Sequence, residues 1–465
     1  MLAPQEIDSL CIDVERPTGP KLASLAGPDE ARAFGGTLAL DLVDYQAGRI
    51  RWTEVDPGCV FYGPPGTGKT MLARAIAAEC GVSFIATSFA EWTSGSGGGA
   101  DTLARMKETF ATARKNAPCI LFLDEIDSLP KRGSGDHNST YFQTIVNGTL
   151  EEIGSSKNKG VIVIAACNDP SNLDPALIRS GRLDRMIEVP LPSPEALPGI
   201  FKHHLGIDIL NVHDLDRMAL HCIGKSGADI AKIVRDARRI ARRARTPLSD
   251  QHLYEAICAS VAKLSPEALR VTAVHEAGHA AVAFRQGGFD RIIISLASSA
   301  TFSQTSTSAP MTRESVKAEL VRLLAGRAAE EVLLGEPSGG AGGADVSDLA
   351  RASRLALEAI TRHGLSNSGR LLWHPWAISR PFTDSYCGEE ADLWLGEANE
   401  TALAQIRNDS VFVAMIAHLL LKRGVLTECD LQQIAKSMES IPPEKTKGEL
   451  LGGLGFAAQV SATST

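Results

Sequence analysis

The chain of 465 residues lacks several features that would assign it to a specialised class of protein. None of its nine cysteines forms a CxxC pair, which argues against a disulfide framework and against a Cys-ligated zinc. No apolar run approaches the ~20 residues that span a bilayer. The N-terminal residues carry acids where a signal peptide would be basic and then apolar. We therefore expect a cytoplasmic protein with no membrane span.

An excess of basic residues is also absent, since the formal net charge is -8. This balance gives no reason to expect nucleic-acid binding. One basic stretch, RRIARRAR (238–245), stands apart. It is either a patch for nucleic acid or acidic lipid, or the solvated face of a helix, and the acidic whole favours the helix face.

Length and composition predict two or three globular domains, because the chain is too long for one core and 44% of its residues are hydrophobic. Changes in pattern divide the chain into five predicted segments. These are a loose leader (1–20), an α/β domain (21–193), a helical lid domain (194–263), a mostly α-helical domain (264–441) and a flexible tail (442–465).

Apolar β-rich runs alternate with helical stretches in the predicted α/β domain. Strands separated by helices predict a five-stranded parallel sheet covered on both faces. The strand candidates are 59–62, 82–88, 119–124, 161–166 and 186–191. Beyond residue 264 one strand is predicted at 291–298, followed by a flexible Ser/Thr-rich stretch at 299–309.

The segment GPPGTGKT (63–70) follows a predicted strand and precedes a predicted helix, as a P-loop requires. A chance glycine-rich turn is the alternative. In a P-loop, glycines let the backbone wrap around phosphate oxygens, and the helix N-terminus supplies positive potential. Lys69 would reach the β- and γ-phosphates of ATP, and Thr70 would bind Mg²⁺. The predicted nucleotide-binding residues here are Gly63, Pro64, Pro65, Gly66, Thr67, Gly68, Lys69, Thr70 and Met71.

A second apolar strand, ILFLDE (120–125), ends in two acids. Asp124 is placed to hold magnesium through water, and Glu125 to polarise the attacking water. An LDE sequence alone is also an ordinary strand end, but its pairing with a P-loop favours the functional interpretation.

The segment AVHEAGHAAVAF (273–284) contains HExxH. Residues four apart lie on one face of a helix, so His275 and His279 are able to bind one Zn²⁺. Glu276 would take a proton from the attacking water. The alternative is a helix with two structurally satisfied histidines.

Four stretches closely resemble the AAA family of ATPases: GPPGTGKT, LDEIDSLPKRG, AACNDPSNLDPALIRSGRLDR (165–185) and GKSGADIAKIV (224–234). The resemblance covers about 21–262. It implies that Asn168 senses the γ-phosphate and that Ala26 lies near the adenine. It also implies that Arg179 and Arg182 reach a neighbouring subunit's site in a hexameric ring that threads polypeptide through its pore.

The pore segment departs from the pattern of protease relatives, in which an aromatic residue precedes a small apolar residue and a glycine. This chain has FAEWTSGSGGGAD (89–101), and the aromatic position falls at about Thr93. The nearest aromatic side chain is Trp92. It either grips the translocating chain or is a buried packing residue.

The HEAGHA motif, LAGRAAEEVLLG (324–335) and DLARASRLALEAITRHGLS (348–366) together resemble the FtsH family of ATP-dependent metalloproteases. Members of that family carry an AAA module followed by a zinc peptidase module. The resemblance implies ATP, Mg²⁺ and Zn²⁺ as cofactors and protein or peptide substrates. One of Glu330 and Glu331 would orient a ligand histidine, unless both form a solvated pair.

The third zinc ligand is missing from HExxH, because a catalytic zinc takes three protein ligands and residues 280–289 contain no histidine. The resembling family has an aspartate ligand in a run that matches DLARASRLA, which implies Asp348. Counting from the upstream Gly-Ala falls between Asp345 and Asp348, and the helical register favours Asp348. The alternative is that Asp348 only caps its helix.

The function that these motifs predict is an ATP-dependent zinc metalloendopeptidase that unfolds, translocates and degrades proteins. The alternative is an AAA protein-remodelling ATPase whose peptidase half is structural or weakly active. A nucleic-acid-dependent ATPase has only the basic run in its favour.

Overall fold

The structure is a computed structural model, and it describes most of the chain. The described residues are 12–19, 21–22, 28–94, 99–129, 139–156, 159–179, 182–183, 185–208, 212–260, 265–289, 291–296, 300–304, 310–339, 347–369, 385–439 and 451–452. The chain forms two compact units, one of Met1–Asn211 with Gly224–Ser249, and one of Val212–Ile223 with Asp250–Thr465. The predicted helical lid is thus divided between the units, and its boundaries as a domain stay a prediction.

Helices make up most of the described backbone. They are α1 Asp29–Gln46, α2 Lys69–Cys80, α3 Phe89–Thr93, α4 Gly99–Lys115, α5 Ser139–Ser156, α6 Ala196–Leu205, α7 Val212–Leu220, α8 Gly227–Ala244, α9 Asp250–Ser260, α10 Pro266–Gln286, α11 Arg313–Leu334, α12 Asp348–Thr361, α13 Ser385–Asn408, α14 Ser410–Arg423 and α15 Glu428–Glu439. Among the described residues, none of these helices is both long and apolar enough to cross a membrane.

The first unit contains a five-stranded parallel sheet with the strand order β2-β3-β4-β1-β5. The strands are β1 Gly58–Tyr62, β2 Ser83–Ser88, β3 Cys119–Asp124, β4 Val161–Cys167 and β5 Arg185–Glu188. The predicted α/β fold is confirmed. The last strand ends at Glu188, and Val189 and Pro190 lead on toward α6.

Both faces of this sheet are buried, which explains why β3 and β4 read as continuous apolar runs. On one face α1 and α2 contribute Phe34 and Ile76 to a core that includes Phe122. On the other face Phe110 of α4 and Leu150 of α5 pack in a second core. Because the strands are parallel, their carboxyl ends lie at one edge, where the P-loop, Asp124 and Asn168 follow β1, β3 and β4.

The predicted loose leader makes defined contacts at its described residues. Glu15 forms an antiparallel bridge with Phe84 of β2, with N–O distances of 2.9 and 2.8 Å. Its carboxylate also accepts two hydrogen bonds from Arg74 of α2, at 2.8 and 2.9 Å. The described residues around Glu15 are therefore held against the β2 edge of the sheet by one bridge pair and one ion pair.

The second unit packs its helices on a small antiparallel sheet with the strand order β7-β6-β8. The strands are β6 Arg291–Ser295, β7 Ala300–Gln304 and β8 Val425–Thr427. The prediction of a single strand was wrong. The sequence pattern missed β7 because it lies in a Ser/Thr-rich run, and β8 because three residues carry no periodicity.

Helix α10 lies at the centre of the second unit, and residues 273–283 are all buried. Five of these eleven residues are alanines, which allows close helix packing. Gly278 approaches α11 so closely that a Cβ atom there would overlap the carbonyl oxygen of Ala325. The close contact of α10 with α11 brings the HExxH motif against α11. Leu451, within the predicted flexible tail, is buried in the same core.

Candidate functional site

The backbone of the segment 63–70 is shaped by glycines in conformations that other residues rarely adopt. Gly63 has a φ of 142°, and a Cβ atom there would overlap the carbonyl oxygen of Val189. Gly68 has a φ of 95° and is the N-cap of α2. The loop therefore turns directly into the helix, whose first amide groups are without helical partners and favour an anion.

Lys69 lies inside this loop with only 8% of its surface exposed. Its ammonium group donates to the carbonyl oxygens of Gly63 and Pro64, at 2.7 and 3.0 Å, and to Oδ1 of Asn168 at 3.0 Å. Burial lowers the pKa of Lys69, and the nearby Asp124 carboxylate acts in the opposite direction. The lysine thus links the loop to the end of β4.

Three side chains surround the position next to Lys69. The Thr70 hydroxyl donates to Oδ2 of Asp124 at 3.3 Å, which places two oxygen ligands suitable for Mg²⁺ together. Glu125 follows with a φ of 50°, a left-handed conformation that is uncommon outside glycine. Glu125 is exposed and lines the cavity beside the loop.

Asp127 was not identified from the sequence, although it is the last acid of LDEID. Its Oδ2 atom accepts hydrogen bonds from the backbone N–H groups of Asn168 and Asp169, at 2.9 and 3.4 Å. The carboxylate thereby fixes the backbone at the end of β4, whose Asn168 side chain contacts Lys69.

A cavity of about 740 Å³ opens beside the loop, within the usual size range of small-molecule sites. Asp124, Glu125 and Asn168 lie along it, and Met71 contributes from α2. Its wall also contains two residues that sequence reasoning missed, His203 and His204. Their signal is weak, because they lie on a helix outside any recognised motif.

Helix α8 reaches the same cavity at its N-terminus, which Ser226 caps. The N–H of Ala228 donates to the carbonyl oxygen of Gly66 at 3.1 Å. The motif GADI therefore begins a helix that contacts the P-loop. Ala26, the predicted adenine neighbour, lies outside the described residues.

Arg179 and Arg182 are both described, and neither belongs to the residues that line this cavity. Arg179 is exposed, while Arg182 is half-buried and donates to the carbonyl oxygen of Ala176 at 2.8 Å. The structure therefore places these two guanidinium groups outside the cavity of their own chain.

Trp92 is a packing residue, so the prediction that it grips substrate was wrong. Only 2% of its surface is exposed, and its indole N–H donates to the hydroxyl of Thr109 at 3.2 Å. The reason is local: Ser88 caps α3, and this short helix turns Trp92 into the core beneath α4. Thr93, the residue at the usual aromatic position, is exposed.

In the second unit, His275, His279 and Asp348 converge on one point. Oδ2 of Asp348 lies 3.2 Å from Nε2 of each histidine, and the two Nε2 atoms are 3.1 Å apart. Ligand atoms about 2.0–2.1 Å from a tetrahedral zinc lie about 3.3 Å from one another. The spacing and the donor set therefore fit zinc. Within the described part of the chain, this is the only group of three or more His, Cys, Asp or Glu residues suited to a metal.

Asp348 is the first residue of α12, but it does not cap that helix. Ser347 is the N-cap, and its hydroxyl accepts from the N–H of Ala350 at 3.4 Å. The alternative role of Asp348 as a helix cap was therefore wrong. The competing residue Asp345 lies outside the described residues.

Helix α11 holds both imidazole rings by their Nδ1 atoms. The Nδ1–H of His275 donates to Oε1 of Glu330 at 2.6 Å, and that of His279 donates to the carbonyl oxygen of Arg322 at 2.8 Å. These bonds leave both Nε2 lone pairs free to face a metal ion. Glu330 is 1% exposed, so the prediction of an orienting acid is confirmed for Glu330.

The electrostatics of the cluster are strongly coupled. Burial by itself would lower the pKa of His275, but hydrogen bonds with Asp348 and Glu330 outweigh it and raise the pKa to about 10. Burial would raise the pKa of Asp348, but its bonds to His275 and His279 hold that pKa well below the usual range. In the metal-free protein, these shifts favour a protonated His275 ring beside an ionised Asp348.

Glu276 lies on α10 between the two histidines of HExxH and is 5% exposed. Its charge acts on His275, where it favours the protonated ring. A buried carboxylate one residue from a metal ligand is suited to exchange a proton with a bound water.

Two family profiles match the chain, one in each unit. The profile of the "ATPase family associated with various cellular activities (AAA)" matches residues 59–191, and "Peptidase family M41" matches residues 262–434. The first profile includes the P-loop, and the second includes the His-His-Asp cluster.

Curated relatives resemble the chain over most of its length. The ATP-dependent zinc metalloprotease FtsH 2 of Symbiobacterium thermophilum is 40% identical over 76% of this chain and 63% of its own length. FtsH 3 of Sphaerobacter thermophilus is 34% identical over 90% and 88%, respectively. FtsH of Rhodococcus erythropolis is 32% identical over 90% of this chain, and only 52% of that relative is covered.

Proposed function

Since the chain belongs to the FtsH family of ATP-dependent zinc metalloproteases, we propose that it hydrolyses ATP in its first unit and cleaves polypeptides at a zinc ion in its second. The observation that carries the proposal is the convergence of His275, His279 and Asp348 within 3.2 Å of one another. Three ligands with an intact HExxH glutamate are what a catalytic zinc requires, rather than a structural one.

In the peptidase site, His275, His279 and Asp348 hold the zinc, and Glu330 keeps the His275 ring in its orientation. A zinc ion held there would supply Lewis acidity, which would lower the pKa of a water molecule and polarise the carbonyl of the peptide bond. Glu276 takes the proton from the attacking water and delivers it to the departing amine. The buried surroundings of Glu276 strengthen its interaction with both groups.

In the ATPase site, the amides of residues 63–70 and Lys69 bind the phosphates, with Thr70 and Asp124 on Mg²⁺. Glu125 orients the attacking water, and Asn168 senses the γ-phosphate through its contact with Lys69. Arg179 and Arg182 act on the site of a neighbouring subunit, because they lie away from their own cavity. Ala26 is kept as a neighbour of the adenine.

A homo-hexameric ring that threads protein substrates is the assembly that this arrangement implies. We place it in the cytoplasm, because the eight described cysteines are free thiols. Such thiols suit a reducing compartment.

The test measures zinc content and ATP-dependent casein degradation together. We expect about one zinc ion per wild-type chain, as a single catalytic site implies. Glu276→Gln should keep zinc but lose proteolysis, whereas Asp348→Asn should lose both. Asp345→Asn is the matched control and should behave as wild type.

The outcomes separate the competing interpretations. A wild-type protein that binds no zinc contradicts the proposed peptidase site. Full zinc occupancy with no casein degradation at saturating ATP favours a remodelling ATPase with a structural peptidase unit. Zinc loss in Asp345→Asn but not in Asp348→Asn would transfer the third ligand to Asp345.

A further inference from the structure

Gly326 lies in the middle of α11, directly against the two ligand histidines. A Cβ atom built at this position would lie 2.5 Å from Nε2 of His279 and 2.6 Å from Nε2 of His275. Non-bonded carbon atoms pack at about 3.5–4.0 Å, so contacts this short require something to move. The atoms that would have to move are the two that face the metal.

The helical conformation does not explain a glycine at this position. Gly326 lies within the continuous helix Arg313–Leu334 and is not among the residues with positive φ. Glycine weakens a helix interior relative to alanine. The reason for a glycine here is therefore a need for space, because a side chain at this position would overlap the two histidines.

The neighbours of Gly326 on the same helix face define that need. The Arg322 carbonyl oxygen accepts from His279, and the Glu330 carboxylate accepts from His275. Residues four apart share one helix face, so Gly326 lies between these two acceptors. The hydrogen bonds of Nδ1 of His275 and Nδ1 of His279 can form together only if the α11 backbone lies close to both rings. At that distance there is no room for a side chain at position 326.

We propose that Gly326 is a positioning residue of the metal centre. The absence of a side chain lets α11 hold both imidazoles while their Nε2 atoms stay 3.1 Å apart and aimed at one ion. This inference rests on the proposed zinc site. In this proposal, α11 determines where the two imidazole rings lie, as well as which nitrogen of each ring carries the hydrogen.

Two other glycines of the same unit provide matched controls. Gly278 of α10 also lies at the contact with α11, but a Cβ there would meet Ala325 and, at 2.6 Å, the Ala329 side chain. It therefore reports the packing of α10 on α11, at a position that directly precedes the ligand His279 in the chain. Gly396 of α13 faces open space, with no atom within 4 Å of a built Cβ.

The first experiment titrates the chelated full-length protein with Co²⁺ and Zn²⁺ and follows the Co²⁺ absorption bands. Gly326→Ala should bind both metals at least about 10–100-fold more weakly, as expected when the groups that orient a ligand are disturbed. Gly396→Ala should bind as wild type. Wild-type affinity and an unchanged Co²⁺ spectrum in Gly326→Ala would overturn the inference.

The second experiment separates the histidine contact from general helix packing. Urea unfolding of chelated protein is followed for Gly326→Ala and Gly278→Ala, each in the native sequence and in a His275→Ala/His279→Ala background. Alanine at 326 should lower the midpoint in the native sequence and leave it unchanged or raise it when both rings are absent, because the overlap is gone and alanine favours the helix. Gly278→Ala should lower the midpoint in both backgrounds.

An equal loss of stability from Gly326→Ala in both backgrounds contradicts the inference, since the overlap would then not involve the histidines. If Gly326→Ala does not fold by itself, recovery of the fold in the double-alanine background supports the inference and continued misfolding contradicts it. Failure of the wild type to bind zinc would reject the proposed function. The unfolding comparison would still decide whether the histidines exclude a side chain at 326.

Discussion

Asp348 uses its two carboxylate oxygens differently. Oδ2 faces both histidines at 3.2 Å, whereas Oδ1 lies 3.6 Å from the guanidinium group of Arg351 one helical turn further on. An aspartate arranged in this way presents one oxygen to a metal and keeps the other in an ion pair. The position of Asp348 as the first residue of α12 makes this possible, because side chains there project beyond the end of the helix.

The proposed ATPase site contains two charged residues with different roles: Lys69 binds phosphate and Glu125 activates water. Substituting each of them should therefore cause a different defect. Lys69→Ala should weaken ATP binding at least about tenfold, since a charge-assisted phosphate contact is lost. Glu125→Gln should bind ATP normally but hydrolyse it about 10²–10⁴-fold more slowly, because the group that activates water is neutralised. Fluorescent-nucleotide binding and phosphate release measure the two effects.

The control for this prediction is Glu151→Gln, which makes the same chemical change at an exposed position on α5. It should leave both measurements unchanged. Normal phosphate release by Glu125→Gln would remove Glu125 from its proposed role.

The pH dependence of metal binding follows from the His275–Asp348 pair. In the metal-free protein the pKa of His275 is raised from 6.5 to about 10, so its stabilising contribution is complete below pH 6.5 and is lost as the pH rises toward 10. The lowered pKa of Asp348 gives a contribution that is present above pH 3.8 and is lost as the pH falls further. Zinc must displace a proton from the His275 ring, so the affinity for zinc should rise with pH up to about 10.

Calorimetric titration in buffers of different ionisation enthalpy measures the protons released. We expect about one proton per zinc at pH 7–8 from this pair. Chelated protein should also unfold at lower urea as the pH rises from 7 to 10. Zinc binding without proton release at pH 7 would show that the ring is already neutral.

At the scale of elements, α3 determines what the segment after β2 contributes. The capping box of Ser88 and Glu91 starts the helix immediately after the strand, and five residues later the helix ends at Thr93. Trp92 then lies beneath α4 with its indole N–H bonded to Thr109. The tryptophan therefore anchors α3 against α4.

Substitution of Trp92 should accordingly affect stability. Trp92→Ala should lower the free energy of unfolding by about 3–5 kcal/mol through loss of buried aromatic area and formation of a cavity. Trp92→Phe keeps much of the packing but removes the bond to Thr109, and we expect a loss of about 1–3 kcal/mol because the Thr109 hydroxyl loses a partner. Urea unfolding measures both. A Trp92→Ala protein of normal stability that fails only to degrade folded substrates would restore the gripping role.

At the scale of the whole molecule, the two units hold two different proposed sites on different folds. The first places its predicted ATP-binding residues at the carboxyl edge of a parallel sheet. The second gathers its metal ligands between helices, with α10 contributing two residues and α12 the third. The described residues that line the P-loop cavity belong to the first unit, and the His-His-Asp cluster belongs to the second.

The proposed ring predicts complementation between defective subunits. Mixed rings of Glu125→Gln and Arg182→Ala chains should recover part of the wild-type ATPase activity, because some interfaces combine an intact Glu125 with an intact Arg182. Mixing Glu125→Gln with Lys69→Ala chains should recover none, since every site then contains a defect of its own P-loop chain. Light scattering on the same samples gives the assembly size, and full ATPase activity in a strictly monomeric protein would contradict the ring.

Local sequence patterns determined much of this protein. Strands separated by helices predicted the parallel sheet, because burial on both faces demands continuous apolar runs such as 119–124 and 161–167. The P-loop and the HExxH motif could be identified from the sequence for a related reason. Their function depends on backbone geometry and on spacing within one turn of a helix, which neighbouring residues specify by themselves.

Only the tertiary structure decided those features that depend on contacts between residues far apart in the sequence. It selected Glu330 over Glu331 as the partner of His275, since only the packing of α10 on α11 determines which acid faces the ring. It buried Trp92. It also formed β7 and β8, which are strands because they pair with β6, although neither has an apolar pattern that predicts a strand. Gly326 is the clearest case: nothing in its own helix requires a glycine, and the need for one arises from two histidines about fifty residues earlier, brought within contact by folding.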